Sequence, residues 1–140
     1  TDRNIVFEYD GTFMTIQLPS GRKLFYYKPR VDLKTNSLIY QGVVQETKQW
    51  GDIPTYGGKL AENIVQATAR DLLGNRMLAL YENGFLPVCH IHDEVLVEVP
   101  EANAKEQYEK MVDIMSVSPE WAKDLPLRAD GYITKFYLKD

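Results

Sequence analysis

Several residue types that mark particular protein classes are scarce in this sequence. Its 140 residues include one cysteine, Cys89, which excludes a disulfide framework and favours a reducing compartment. No segment approaches the ~18 consecutive apolar residues of a membrane span, and no secretory leader is recognisable. Basic residues are fewer than acidic ones, 16 against 20, and a net charge of -4 is atypical of a domain that only binds phosphates.

The composition that is present is that of an ordinary globular domain. Apolar residues make up 44% and charged residues 26% of the chain, so we expect one soluble domain over residues 1–140. The first residue is Thr1 and not Met. We therefore expect the sequence to be a piece of a longer protein, and a processed protein would look the same.

The hydrophobic patterns predict a strand-rich part followed by a helical part. In the strand-rich part, residues 1–50, apolar and polar side chains alternate from residue 4 onward between turn signals such as Asp10-Gly11, which is typical of a small antiparallel sheet. Residues 51–58 contain a proline and two adjacent glycines and predict a loop. Apolar residues at helical spacing then predict a helix of about 25 residues that ends at Asn83-Gly84. Four further elements are predicted: strands at 86–92 and 95–99, a helix at 102–117 and a strand at 127–138.

The densest polar cluster is residues 89–94 (CHIHDE), in which Asp93 and Glu94 lie between the two short strands. Two adjacent carboxylates at the tip of a turn repel each other, and a divalent cation such as Mg²⁺ would make the arrangement favourable. Such a pair suits a two-metal phosphoryl-transfer site. Acidic residues are also common in turns, so this pair of residues alone leaves an ordinary solvated turn as the alternative.

Two further patterns have both a functional and an ordinary interpretation. His90, His92 and Glu94 could bind Zn²⁺ or Fe²⁺ in a small metal-dependent enzyme, although a closed zinc site needs three or four good ligands. Basic residues fall at positions 22, 23, 28, 30 and 34 of the strand-rich part. They are typical of a solvated strand face, and they also suit a module that binds DNA without catalysis.

The segment around the acidic pair resembles a known polymerase motif. Residues 88–99 (VCHIHDEVLVEV) look like motif C of family A DNA polymerases, and residues 55–71 (TYGGKLAENIVQATARD) are similar to the helix that precedes motif C in phage and prophage members. Residues 18–24 (LPSGRKL) and 48–50 (KQW) also resemble the phage branch. The resemblance extends from about residue 16 to the end of the chain.

This resemblance implies roles for six residues. Asp93 and Glu94 would be the acidic pair of the palm near the Mg²⁺ ions, with Asp93 as a metal ligand, and His92 would lie close to the primer-terminal nucleotide. The side chains of Lys59, Asn63 and Gln66 would face the primer–template DNA. The partners implied are DNA, the incoming deoxynucleoside triphosphate and the fingers and thumb of the parent chain, in the cytoplasm of a bacterial host and without a membrane.

The chain also departs from the family pattern. The second catalytic aspartate of motif A, in an Asp-Tyr-Ser-like segment, is missing, and so is the fingers helix of motif B. Tyr9-Asp10-Gly11 has the wrong context for motif A and predicts a hairpin turn. We therefore expect the C-terminal palm part of a DNA polymerase, inactive alone, with an α+β fold in which two helices pack on one face of an antiparallel sheet that includes the acidic hairpin.

Overall fold

The computed structural model describes residues 5–137 and confirms the α+β class. Two compact units are divided between Thr68 and Ala69, inside the long helix. The first unit contains a five-stranded antiparallel sheet in the order β1-β2-β3-β4-β5. Its strands are β1 (Val6–Tyr9), β2 (Phe13–Gln17), β3 (Lys23–Asp32), β4 (Ser37–Val43) and β5 (Trp50–Thr55).

The sheet is a meander because short turns join successive strands. The β1–β2 turn is held by the Asp10 carboxylate, whose Oδ1 atom accepts hydrogen bonds from the backbone N–H groups of Thr12 (2.8 Å) and Phe13 (2.7 Å). The hydrogen bond from Phe13 is the largest cause that lowers the pKa of Asp10 below its usual value, and the one from Thr12 is the second. The turn that Asp10-Gly11 predicts from the sequence is therefore an Asx-type turn.

The predicted loop at 51–58 is wrong, because most of it forms β5. Pro54 pairs with Ile39 of β4 on one side, and β5 has no strand on its other side within the described sheet. Proline is tolerated in such an edge strand because its missing N–H faces away from the ladder.

The core of the first unit lies between the sheet and the first turns of helix α1 (Gly57–Glu82). Ile16, Tyr26 and Leu60 are buried together, with exposed fractions of 0%, 5% and 9%. Ile64 packs against this cluster one turn after Leu60. The helical spacing of these two residues therefore determines which side of α1 faces the sheet.

Helix α1 ends where the sequence predicts. Gly84 has φ 86°, its N–H donates to Tyr81 O (3.0 Å), and the N–H of Phe85 donates to Leu80 O (3.0 Å). This pair of hydrogen bonds is a Schellman motif, which favours glycine because the left-handed φ penalises a Cβ atom.

The second unit continues from α1 into the strands β6 (Pro87–Ile91) and β7 (Glu94–Val97) and the helix α2 (Ala104–Met115), which is preceded by a 3₁₀ turn at Glu101–Asn103. The strands β6 and β7 form a separate two-stranded sheet, so the expectation that the acidic hairpin belongs to the larger sheet is wrong. Arg76 of α1 donates from Nη1 to the carbonyl of Ile114 in α2 (3.3 Å).

The predicted C-terminal strand is also wrong over residues 127–137, where the structure has no strand, and residue 138 lies outside the described residues. Backbone groups of this segment bond to side chains of the α2 region instead of a strand. Ser116 Oγ accepts from the N–H of Ala129 (3.0 Å), and the Tyr108 hydroxyl donates to Gly131 O (3.1 Å).

Candidate functional site

The acidic residues lie at the tip of the β6–β7 hairpin. Ile91 pairs with Glu94, so His92 and Asp93 form the two-residue loop between the strands. His92 has φ 53°, in the left-handed region that short hairpin loops require at their first position. The loop projects His92 and Asp93 into solvent, and both side chains are exposed.

Asp93 is available to an external ligand. It makes no hydrogen bond or ion pair within residues 5–137 and is exposed. Glu94 is also exposed, but its Oε2 atom accepts a hydrogen bond from the Tyr137 hydroxyl at 3.2 Å. Desolvation is the largest cause that raises the pKa of Tyr137 above its usual value of 10.0, and this hydrogen bond is the next.

His90 of β6 lies beside an arginine of α1. The two terminal nitrogens of Arg70 are each 3.2 Å from a ring nitrogen of His90. A neutral imidazole has one acceptor nitrogen, so the guanidinium can donate to only one of the two ring nitrogens. The contact nevertheless ties the hairpin to the Arg70 turn of α1.

The acidic tip provides two adjacent carboxylates and no larger ligand cluster. Among residues 5–137, no three His, Cys, Asp or Glu side chains are grouped so that they could hold a metal ion. The alternative site at His90, His92 and Glu94 is therefore not assembled in this structure. Two carboxylates remain compatible with Mg²⁺, which commonly binds one or two of them together with water and substrate phosphates.

The proposed DNA-contacting residues lie on the early turns of α1, in the first unit, whereas the acidic tip belongs to the second. Lys59 is exposed, and its Nζ atom bonds Glu62 Oε2 at 2.9 Å, which raises the pKa of Lys59. Asn63 is half-buried, and its Nδ2 atom donates to the Tyr26 hydroxyl at 3.0 Å. Gln66 is exposed.

Two contacts of the site could not be found by sequence reasoning. Arg70 is part of the quoted helix segment, but nothing local marks it as a neighbour of His90. Tyr137 lies 43 positions after Glu94, in a segment predicted as a strand. Both contacts join distant parts of the chain, so no short motif reports them.

No family profile matches the chain, and no solved structure matches it.

Neither helix of the described residues has both the length and the apolar character needed to cross a membrane.

A DNA polymerase of Bacillus phage SP02 is 44% identical to this chain over 140 residues. The match covers 97% of the chain but 21% of the phage protein, so the chain spans about a fifth of this relative's length. The chain is thus similar to one segment of a phage DNA polymerase.

Proposed function

We propose that this chain is the C-terminal palm part of a phage-type family A DNA polymerase. The parent enzyme joins a primer 3′-hydroxyl to a deoxynucleoside triphosphate and releases pyrophosphate, in the cytoplasm of the bacterial host. The single observation that carries this proposal is the exposed pair Asp93-Glu94 at a hairpin tip, within a sequence 44% identical to a phage DNA polymerase.

The donor set fits part of a magnesium site. Asp93 is exposed and without a partner within residues 5–137, and Glu94 keeps its Oε1 atom outside the bond to Tyr137. Hard cations prefer such carboxylate oxygens. When bound, Mg²⁺ would activate the attacking hydroxyl and neutralise charge on the triphosphate. The further carboxylate of a complete site is the motif A aspartate, which this sequence lacks.

The chain's own residues would position the reactants. The backbone of Asp93 is held in place because the paired strands β6 and β7 support a loop of only two residues. The Tyr137 hydroxyl donates a hydrogen bond to one oxygen of Glu94. His92 is exposed at the tip and would lie close to the primer terminus. This pre-organisation limits the rearrangement needed during reaction.

The early turns of α1 would contact the primer–template. Lys59 and Gln66 are exposed, so both can reach DNA without unfolding any part of the helix. Asn63 uses its Nδ2 atom on Tyr26, which leaves its Oδ1 atom as the group for DNA. Lys59 must exchange its bond to Glu62 for a phosphate, at little cost because the ion pair is exposed.

The test compares Asp93→Asn with Asp113→Asn in the complete polymerase that carries this segment. Asp113 is an exposed carboxylate of α2 and serves as the matched control. We expect Asp93→Asn to lower the single-turnover rate of primer extension by at least ~10²-fold, with little change in primer–template affinity. Normal extension by Asp93→Asn would contradict the proposal, as would an equal loss in the control.

A second measurement addresses the missing motifs. The 140-residue chain alone should extend no primer in the presence of Mg²⁺ and deoxynucleoside triphosphates, because motif A and motif B are both absent from it. Extension by the isolated chain would show that the carboxylates present suffice and would refute the interpretation as a palm part.

A further inference from the structure

The acidic hairpin, which consists of β6, β7 and the loop between them, needs support from the rest of the second unit. A two-stranded hairpin is at best marginally stable in water on its own. Val88 of β6 is 55% exposed, so apolar burial fixes this strand only in part. The five residues of β6 span about 16 Å at ~3.3 Å per residue, so a tilt of about 4° at the base moves the tip by about 1 Å. The position of the tip therefore depends on what holds the two faces of the hairpin.

His90 and Glu94 lie on opposite faces of this hairpin. His90 pairs with Val95, and Ile91 pairs with Glu94. Paired residues share a face and successive residues alternate between faces, so His90 and Val95 are on one face and Ile91 and Glu94 are on the other. Each face thus presents one polar side chain close to the tip.

The face that carries His90 is held from helix α1. The Nη1 and Nη2 atoms of Arg70 are each 3.2 Å from a ring nitrogen of His90, and one of the two guanidinium groups N–H···N can be a hydrogen bond at a time. Arg70 lies within the 26-residue helix, so its backbone is fixed by helical hydrogen bonds on both sides. The contact therefore joins the hairpin, near its tip, to a rigid element.

The face that carries Glu94 is held from the segment that follows α2. The Tyr137 hydroxyl donates to Glu94 Oε2 at 3.2 Å. Six residues earlier, the carbonyl of Gly131 accepts a hydrogen bond from the hydroxyl of Tyr108 in α2 at 3.1 Å. This second contact therefore connects the hairpin to α2 through the C-terminal segment.

From these contacts we propose that Arg70 is a positioning residue of the acidic tip, which acts through His90, with Tyr137 as its counterpart on the opposite face. Neither side chain touches the reacting atoms, and together they keep the carboxylates of Asp93 and Glu94 in one position. The inference rests on the proposed function and deepens it, because that function assigns no role to Arg70 or His90. A misplacement of about 1 Å can lower a reaction rate by up to ~10²-fold, so a small tilt of the hairpin matters.

The first measurement uses the 140-residue chain and needs no activity. Arg70→Met removes the donors and keeps an apolar stem, and Tyr137→Phe removes only the hydroxyl. Each should speed hydrogen exchange of the backbone amides of residues 89–96 by about 2- to 10-fold, as expected for one lost hydrogen bond, and leave the amides of α2 unchanged. Lys105→Met is the matched control, because Lys105 is an exposed cation of α2 outside the hairpin.

The second measurement is single-turnover primer extension by the complete polymerase that carries this segment. Arg70→Met should lower the rate by about 10-fold with little change in primer–template affinity, whereas Lys105→Met should change neither. Arg70→Lys should recover most of the rate, because a neutral imidazole accepts one hydrogen bond and one donor is enough. A merely stabilising arginine would not produce this separation of rate from affinity.

A variant cycle tests whether Arg70 acts through His90. His90→Phe keeps a ring but removes the acceptor, so it should reproduce the loss of rate seen in Arg70→Met. The double variant should lose no more than either single variant, because both changes break the same contact. If Arg70→Met lost its helical circular dichroism, Arg70→Lys and His90→Phe would carry the comparison.

Three results would overturn the proposal. These are unchanged hydrogen exchange of the hairpin in both chain variants, losses of rate that add in the double variant, and a loss of primer–template affinity without a loss of rate. The last result would identify Arg70 as a DNA contact. Failure of the proposed function is distinguishable, because Asp93→Asn would then extend primers normally while the hydrogen-exchange result would stand.

Discussion

The hydrogen bond between Asn63 and Tyr26 allows a test of whether Asn63, on the early turns of α1, stabilises the fold or serves DNA binding. The Asn63 Nδ2 atom lies 3.0 Å from the Tyr26 hydroxyl oxygen, and Tyr26 is 5% exposed. We expect Tyr26→Phe to lower the free energy of unfolding by about 0.5–1.5 kcal/mol. We expect Asn63→Ala to lower it by about 1–3 kcal/mol, because it leaves a buried hydroxyl without its donor.

The double variant measures the bond itself. Tyr26→Phe keeps the aromatic ring and its edge contact with Tyr40, whose ring centroid is 5.0 Å away, so packing is preserved. Urea unfolding of the parent, both single variants and the double variant, followed by circular dichroism, gives the coupling free energy. We expect a coupling free energy of about 0.5–1.5 kcal/mol. Independent sites deviate from additivity by no more than ~0.3–0.5 kcal/mol.

Gln66→Ala serves as the control in the same cycle. Gln66 is exposed on the same helix, so its removal should change the free energy of unfolding by no more than ~0.5 kcal/mol. A coupling free energy near zero between positions 26 and 63 would refute the reasoning. So would an Asn63→Ala variant that lost primer–template affinity in the complete polymerase while its unfolding free energy stayed unchanged.

The remaining predictions concern stability. Ile16→Ala removes a fully buried side chain between sheet and helix and should cost about 2–5 kcal/mol in urea unfolding, whereas a loss below ~1 kcal/mol would contradict the described core. The pKa of Asp10 is lowered in the folded chain, so its contribution is present above its unfolded pKa near 3.8 and is lost as the pH falls through the folded value. Asp10→Ala should therefore reduce the acid-induced loss of stability measured by pH-dependent unfolding, and an identical acid profile would refute this linkage. Gly84→Ala should destabilise by about 1 kcal/mol because φ is 86° there, and an unchanged thermal midpoint would contradict the Schellman geometry.

Short-range patterns were sufficient for the helices and for the acidic hairpin. The end of α1 depends on Gly84 and on residues within five positions of it, and the tip at His92 and Asp93 depends on two short strands that pair with each other. Because these interactions are local, neighbouring residues in the sequence carry the information, and the predicted positions agree with the structure to within a few residues.

Elements that depend on distant partners could not be predicted in the same way. Pro54 is tolerated in a strand because β5 is at an edge. Residues 127–137 form no strand, and their backbone bonds at Ala129 and Gly131 to the side chains of Ser116 and Tyr108. The order of aromatic and polar residues cannot reveal either fact, since both follow from which segments meet after folding.

The same distinction applies to the acidic tip and to the aromatic residues of the larger sheet. The acidic residues Asp93 and Glu94 are adjacent in the chain, so the sequence by itself determines that two carboxylates lie side by side. The rings of Phe13, Tyr27 and Trp50 contact one another although 37 positions separate Phe13 from Trp50. They meet only when β2, β3, β4 and β5 pair in register. Register is a cooperative property of the whole sheet, because backbone hydrogen bonds and the burial of Ile16 and Tyr26 select it together.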